Sequence, residues 1–427
     1  MEIPHKGFLK APFAEKLATL NLVFILMGYP FAASLLVPLG YSAFQSQTVT
    51  VPYRIIALAV AAACVLIGFH KKGAPPRKPK MVIFYFFCFA MCIMRVFLDF
   101  LTDQTGYAQI ENIRVWGLIV SSLFSALSVY FTFKFINFRS ALFISICMAT
   151  FVMTVNKFGF NQTSADLLID FTNIRQTGSD ALFSIAYSMV GVVSAIICLY
   201  VLFSKDYNII YKAAAIPVLL VSLGVMASAG SRGPVLALAL ALVFWFASGI
   251  KNKAVFFFFA FCGFISIYLL RYQIVDLLVE YVPLLGNRFD AMLYANFYSG
   301  RDILIYDGLQ QCFYNPILGS STINPETGVT TTIGYHTALV DALAYFGIIG
   351  GSLIIALIFY MLYIAVNMVS KKNIIPDFWI VMILLATLIF KIIASGLFHV
   401  DPAFSALIVL GICFYSEFYP KPDAKTI

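Results

Sequence analysis

The chain has 427 residues, of which 61% are hydrophobic and 11% charged, whereas a soluble domain carries about 25% charged residues. That composition excludes a soluble globular protein and points to a polytopic membrane protein. The formal net charge of +8 does not indicate nucleic acid, because the basic residues fall in short loops between apolar runs, where they set membrane orientation.

Apolar runs of about 17–25 residues read as spans. We therefore expect an all-α protein with about twelve transmembrane helices. In chain order they are Leu17–Leu39, Tyr53–Phe69, Met81–Leu101, Arg114–Ile136, Ser140–Val155, Ala181–Phe203, Tyr211–Ala229, Pro234–Ile250, Ala254–Leu270, Thr337–Val369, Phe378–Leu397 and Ala403–Phe418. Residues 1–270 would carry the first nine, 271–336 one large outer loop with short helices, and 337–427 the last three. Lys6, Lys10 and Lys16 precede the first run, which continues past Ala32-Ala33-Ser34. It is longer than a signal-peptide core and is read as an uncleaved span. Thr337–Val369 is too long for one upright span, so it either tilts or begins above the bilayer.

Seven of the eight cysteines lie in apolar runs and read as small buried hydrophobes; Cys312 alone lies in a polar region. No Cys/His spacing suggests a metal site, and no cofactor is expected.

Lysine and arginine set the orientation. The turn after the second span holds Lys71, Lys72, Arg77, Lys78 and Lys80 and is assigned to the cytoplasm. Alternate connections agree: Lys134/Arg139, Lys205/Lys212, Lys251/Lys253, Lys371/Lys372 and the tail with Lys421 and Lys425. Both termini are then cytoplasmic, and 271–336 lies outside. Nearly all the lysines fall inside. Most arginines do not: Arg54, Arg95, Arg114, Arg175, Arg232, Arg271, Arg288 and Arg301 fall outside or in the outer halves of spans. Topology is indifferent to which basic residue it uses. Arginine is the planar fork that grips phosphate and carboxylate with two hydrogen bonds. The outer face is therefore suited to an anionic group, the plain alternative being ion pairs with outer acids.

Three places stand out. Ser231-Arg232-Gly233-Pro234 opens a span, with Gly233 expected as cap and Pro234 at the first helical position, so Arg232 adds its fork to a helix N-terminus. The bland alternative is an interfacial arginine reaching for headgroups. Ser299-Gly300-Arg301-Asp302 opens an expected helix from Asp302 to Phe313, with Ile303, Leu304, Tyr306, Leu309 and Phe313 as its apolar stripe. Here the alternative is pairing of Arg301 with Asp302 or Asp307. His336 precedes the long helix, with Thr337 as a candidate cap; a histidine there can take a proton from a hydroxyl, or simply be structural. His399 also falls outside and serves as its natural comparison. Arg288, Arg271 and Tyr335 are further candidates. Within the spans, Arg95 and Asp99 are spaced for an intrahelical ion pair, and Lys391 is a second intramembrane charge.

Three groups of residues, in this order, resemble the bacterial O-antigen ligase and O-antigen polymerase superfamily. They are Ser231-Arg232-Gly233; Gly300-Arg301-Asp302 followed by Asn315-Pro316-Ile317-Leu318-Gly319; and His336-Thr337-Ala338-Leu339 leading to Gly347-Ile348-Ile349-Gly350. Thr337 stands where the family often has asparagine. The resemblance implies a GT-C-like membrane glycosyltransferase of the bacterial inner membrane, working on the periplasmic face. The donor would be a glycan on undecaprenyl pyrophosphate, and the reaction metal-independent and inverting. Arg232 and Arg301 would bind the pyrophosphate, and His336 would act as base or orient the acceptor. The acceptor is a second lipid-linked glycan for a polymerase, or lipid A–core for a ligase, and a chain-length regulator is a possible protein partner. A flippase or transporter is the rival of another class; it would place charges along a central path and keep its outer loops short.

Overall fold

The computed structural model describes residues 11–35, 47–74, 80–102, 108–157, 184–229, 231–250, 268–281, 301–319, 337–370, 377–394 and 397–418, with Ile375 and isolated residues between 262 and 293. Among these residues there is no strand. The helices in order are α1 (Phe13–Ser34), α2 (Gln47–His70), α3 (Lys80–Thr102), α4 (Ala108–Thr132), α5 (Phe138–Lys157), α6 (Ser184–Phe203) and α7 (Ile209–Ser228). They continue as α8 (Arg232–Gly249), α9 (Arg271–Tyr281), α10 (Arg301–Tyr314), α11 (Ala338–Ser370), α12 (Trp379–Ala394) and α13 (Pro402–Phe418). Nine described helices are long and apolar enough to cross a membrane. Helices α12 and α13 are shorter but equally apolar. The span expected at Ala254–Leu270 lies largely outside the described residues.

Contacts at helix ends show that the helices from α1 to α8, and again from α11 to α13, alternate in direction. At one end, Asn137 donates to the Glu15 carboxylate at 2.9 Å and its N–H to Thr19 at 3.0 Å, tying the start of α5 to the start of α1. The Lys134 N–H reaches the Gly73 carbonyl at 3.0 Å, joining the ends of α4 and α2. Phe133 and Phe138 stack on Phe414 near the end of α13. Trp245 at the end of α8 meets Phe378 just before α12. At the other end, Asn156 of α5 donates to Ser34 of α1 at 2.7 Å, and the Tyr187 hydroxyl of α6 to the Met153 carbonyl at 3.2 Å. Phe346 of α11 stacks edge-on against His399 in the turn before α13. The first and last described helices therefore begin and end at the same end of the bundle. That end carries Lys16, Lys71, Lys72, Lys134, Lys205 and Lys212, and we call it the lysine end. Arg95, Arg232 and Arg301 belong to the other, the arginine end.

The core is built around α12 and α13. Nearly every residue from Phe378 to Phe390 and from Phe404 to Phe414 is buried. By contrast α2 and α7 present Ile55, Ile56, Leu66, Ile216 and Leu220 outward, the faces that lipid would cover. A few polar contacts tie helices together where the surroundings offer no hydrophobic drive between them: Asn21 to Ser128 at 2.8 Å and Ser222 to Ser194 at 2.9 Å. In α1 a π-turn spans Phe24–Gly28 just before Pro30. Proline cannot donate to the helical ladder and crowds the preceding turn. The widened turn is held by the Tyr53 hydroxyl, which donates to the Phe24 carbonyl at 2.7 Å.

The expected long helix is in fact two. Gly347 inside α11 has φ 63° and ψ −169°, a conformation that is essentially restricted to glycine. This break, rather than tilt alone, accommodates the excess length. The short span expected at Ser140–Val155 gains a few residues at each end, at Phe138–Lys157.

Candidate functional site

The break at Gly347 is the structural centre of the arginine end. It interrupts the helical geometry, and neighbouring segments bond the backbone on either side of it. The Ile348 N–H donates to the Pro316 carbonyl at 2.7 Å. The Tyr345 carbonyl accepts from Arg95 Nε at 3.0 Å. After α10 the chain makes a turn closed by the Gly319 N–H on the Asn315 carbonyl at 2.9 Å, and Gly319 itself has φ 75°. The two glycines meet backbone to backbone. A Cβ on Gly319 would lie 2.4 Å from the Tyr345 carbonyl, and one on Gly347 would lie 2.4 Å from the Ile317 carbonyl. Two pieces far apart in sequence, Asn315–Gly319 and Gly347–Gly350, thus form one junction, with Arg95 of α3 as its tie to the bundle. On the same α3–α11 seam, a Cβ on Gly350 would crowd the Phe346 side chain and approach Met91.

Helix α10 docks on α11 through Leu304, Ile305, Gly308 and Cys312. This corrects the expected stripe. Leu304 belongs to it, but Tyr306, Leu309 and Phe313 are exposed, Phe313 by 82%. The buried face follows i, i+4, i+8 through the small residues Gly308 and Cys312, which allow close approach to α11. Tyr306, Leu309 and Phe313 form a second apolar face on a helix that is apolar on two sides. Arg301 is the first residue of α10, in the first turn as expected; Ser299 and Gly300 lie outside the described residues.

Arg232 is the first residue of α8 and is half-buried. The cap is Ser231, in an extended conformation, not Gly233 as expected. The first-turn N–H groups of a helix have no intrahelical acceptor. Pro234 is therefore tolerated at the third position, within the first turn, and the helix starts two residues earlier. Arg232 still sits where the helix dipole favours an anion. Arg271 opens α9 with its guanidinium between Tyr268 and Tyr272, 4.2 and 4.5 Å from the ring centres, and bonds the Tyr268 carbonyl at 2.8 Å. Arg288, Tyr335 and His336 lie outside the described residues. Thr337 is described, and its hydroxyl accepts the Val340 N–H at 3.1 Å, capping α11 as the sequence suggests.

Two remaining candidates are placed by their partners. Lys391 forms an ion pair with Asp401 at 2.7 Å and lies over the Phe404 ring. Asp401 also accepts the Phe404 N–H at 3.0 Å, capping α13. Burial pushes the Asp401 carboxyl up, but the Lys391 ammonium and the capping N–H groups outweigh it and hold the group below its usual range. His399 is not a free outer histidine. It is 6% exposed between Phe346 and Phe398, and burial pushes it down to about 4. Its Nδ1 has no hydrogen-bond partner among the described residues. It is a neutral packing residue and a poor comparison for His336.

At the lysine end the charged groups cluster differently. Arg139 lies over the Tyr207 ring at 5.5 Å. Near it Asp377, with φ 56°, has its carboxyl pushed up to about 6, chiefly by burial, with Arg139 opposing and Asp206 adding.

For Arg95 the sequence missed a contact: beside its spacing to Asp99, whose side chain lies outside the described residues, its guanidinium reaches a carbonyl of another helix. A signal was present in the glycines at 347 and 350 inside a long apolar run.

No known family model matches this chain, and no curated protein matches it.

Proposed function

We propose that the protein is a membrane glycosyltransferase acting at the arginine end, which faces the outside of a bacterial inner membrane. It joins lipid-linked glycan units as a polysaccharide polymerase. The donor is a glycan on a polyprenyl pyrophosphate such as undecaprenyl pyrophosphate, and the acceptor is a sugar hydroxyl of a second lipid-linked glycan. The hydroxyl oxygen attacks the anomeric carbon from the face opposite the pyrophosphate, and the bond from that carbon to the phosphate oxygen breaks. The hydroxyl proton passes to His336, and the configuration inverts. Negative charge gathers on the departing pyrophosphate, where the guanidiniums of Arg232 and Arg301, each in the first turn of a helix, stabilise it. In this reading both termini are cytoplasmic, and the exposed faces of α2 and α7 meet lipid.

The observation that carries the reading is the glycine junction. It joins the helix that begins with Arg301 to the helix that follows His336, at the end of the bundle where α8 begins with Arg232. A transporter reading finds less support. Lys391 and Asp401 pair with one another, and Asp401 caps a helix.

The test is purified protein given a lipid-linked repeat unit alone. A ladder of products supports the polymerase. Transfer only when lipid A–core is added would make the protein a ligase. No transfer under either condition would reject the glycosyltransferase.

A further inference from the structure

Resting on that reading, we propose that Arg95 is a positioning residue for the transfer reaction: it holds the break in α11 open for the Asn315–Gly319 turn and so sets α10 against the start of α11. An arginine within a span is expensive and needs a reason. Its partner here is the Tyr345 carbonyl, at 3.0 Å, two residues before the break. That carbonyl belongs to the same short stretch of backbone against which Gly319 packs. Two other features complete the junction, the Ile348 N–H on the Pro316 carbonyl and the contact between the two glycines. Both of those lie between the turn and α11. Arg95 makes a polar contact that ties the junction to α3.

The consequence is geometric. Helix α10 begins with Arg301, and the segment Ala338–Phe346 begins two residues after His336. Their relative placement runs through this junction. If the break closed into a continuous helix, the Ile348 N–H would return to the helical ladder, and the Pro316 carbonyl would lose it. The turn would then have no seat. A misplacement of about 1 Å at a reacting centre costs about a hundredfold in rate. Arg95 therefore acts on turnover through backbone position, without touching the substrate.

The role separates Arg95 from Arg232 and Arg301 by chemistry. A single donor to a carbonyl can be supplied by lysine, whereas a two-bond grip on phosphate cannot. Arg95→Lys should keep most of the activity, and Arg95→Met, which retains the apolar stem, should lose about ten- to hundredfold in kcat with donor KM little changed.

The experiment pairs transfer kinetics on a lipid-linked repeat unit with hydrogen exchange on the full-length detergent-purified protein. In Arg95→Met, peptides covering 315–319 and 345–350 should exchange at least about tenfold faster, while peptides from α6 and α7 keep their protection. Arg95→Lys should restore both readouts. Unchanged exchange at the junction in Arg95→Met overturns the proposal, whatever the kinetics. Faster exchange with normal kcat overturns its link to the reaction. A higher KM with normal kcat would make Arg95 a donor-binding residue instead. If the unaltered protein transfers no sugar, the glycosyltransferase reading fails and the link to the reaction with it. The exchange data still decide whether Arg95 holds the junction.

Discussion

The two ends of the bundle both carry basic residues and use them in different ways. At the lysine end, Lys71, Lys72, Lys205 and Lys212 stand on helix ends and turns, and the one arginine described there, Arg139, lies over a tyrosine ring beside Asp206 and Asp377. At the arginine end, the arginines stand against backbone and at helix starts. Arg95 bonds the Tyr345 carbonyl, Arg271 is clasped by two tyrosines, and Arg232 and Arg301 are each the first residue of a helix. Net positive charge is enough to orient a membrane protein. A fork with fixed geometry is needed only where a specific partner must be held. On the proposed reading, the division between lysine and arginine is a division between orientation and chemistry.

The largest expected effects fall at the arginine end. His336→Ala should lower turnover by about 10²–10⁴-fold, the usual consequence of losing a general base, while donor affinity is kept. The comparison residue is His70, which is exposed at the lysine end; His70→Ala should transfer normally. Loss of donor binding in His336→Ala, with turnover of bound donor intact, would move that residue to the donor side. Arg232→Lys and Arg301→Lys should each cost about 30- to 1,000-fold in rate, from the loss of about 2–4 kcal/mol of charge-assisted contact. Near-normal rates for both lysine variants would dissolve the contrast between the ends, because lysine would then serve equally at either.

A smaller effect is expected at the buried pair, and on stability alone. Lys391→Met removes the ammonium from beside the part-exposed Asp401 carboxylate, and should destabilise by about 1–3 kcal/mol. Adding Asp401→Asn should recover most of that loss, since asparagine still caps a helix and carries no charge. Thermal unfolding in detergent measures both. If the double variant is no better than Lys391→Met, the pair is not the source of the effect.

The smallest effect is at the lysine end. Asp377 has its carboxyl raised from its ordinary value to about 6. A carboxyl raised on folding favours the protonated form. Its contribution is fully present below the unfolded value of about 3.9 and is lost as the pH rises through about 6. At pH 7.5 the ionised group is therefore a burden. Asp377→Asn, which keeps the left-handed backbone that asparagine tolerates, should raise stability at pH 7.5 by on the order of 1 kcal/mol. The gain should shrink toward zero near pH 4. A constant gain across that range would mean that charge is not its origin.

Much of this architecture is legible in the sequence because hydrophobic length and charge alternation are one-dimensional signals. The helices from Phe13 to Gly249 follow the apolar runs to within a few residues, apart from α2 and α4, which start about six residues before theirs. The glycine and Asn-Pro motifs mark the right places. What they do there is not legible. Nothing in Gly347-Ile348-Ile349-Gly350 says that the first glycine breaks the helix and the last keeps it, because the difference lies in what packs against each. The docked face of α10 was obscured because the helix is apolar on two sides, and Gly308 and Cys312 do not look like anchors. His399 reads as exposed from its place between spans, and it is buried because the turn Phe398–Val400 folds inward against Phe346. Each of these depends on contacts between residues far apart in the chain.

The central claim is that the arginine end is the outer, working face, and sided labelling tests it directly. In a background without native cysteines, Tyr314→Cys places a thiol at a site 79% exposed on α10, at the arginine end. Lys205→Cys places one at the lysine end. Intact spheroplasts are treated with an impermeant thiol reagent. The account predicts that Tyr314→Cys reacts at once and Lys205→Cys only after lysis. The reverse pattern would put the arginines in the cytoplasm and contradict a transfer reaction at the outer face.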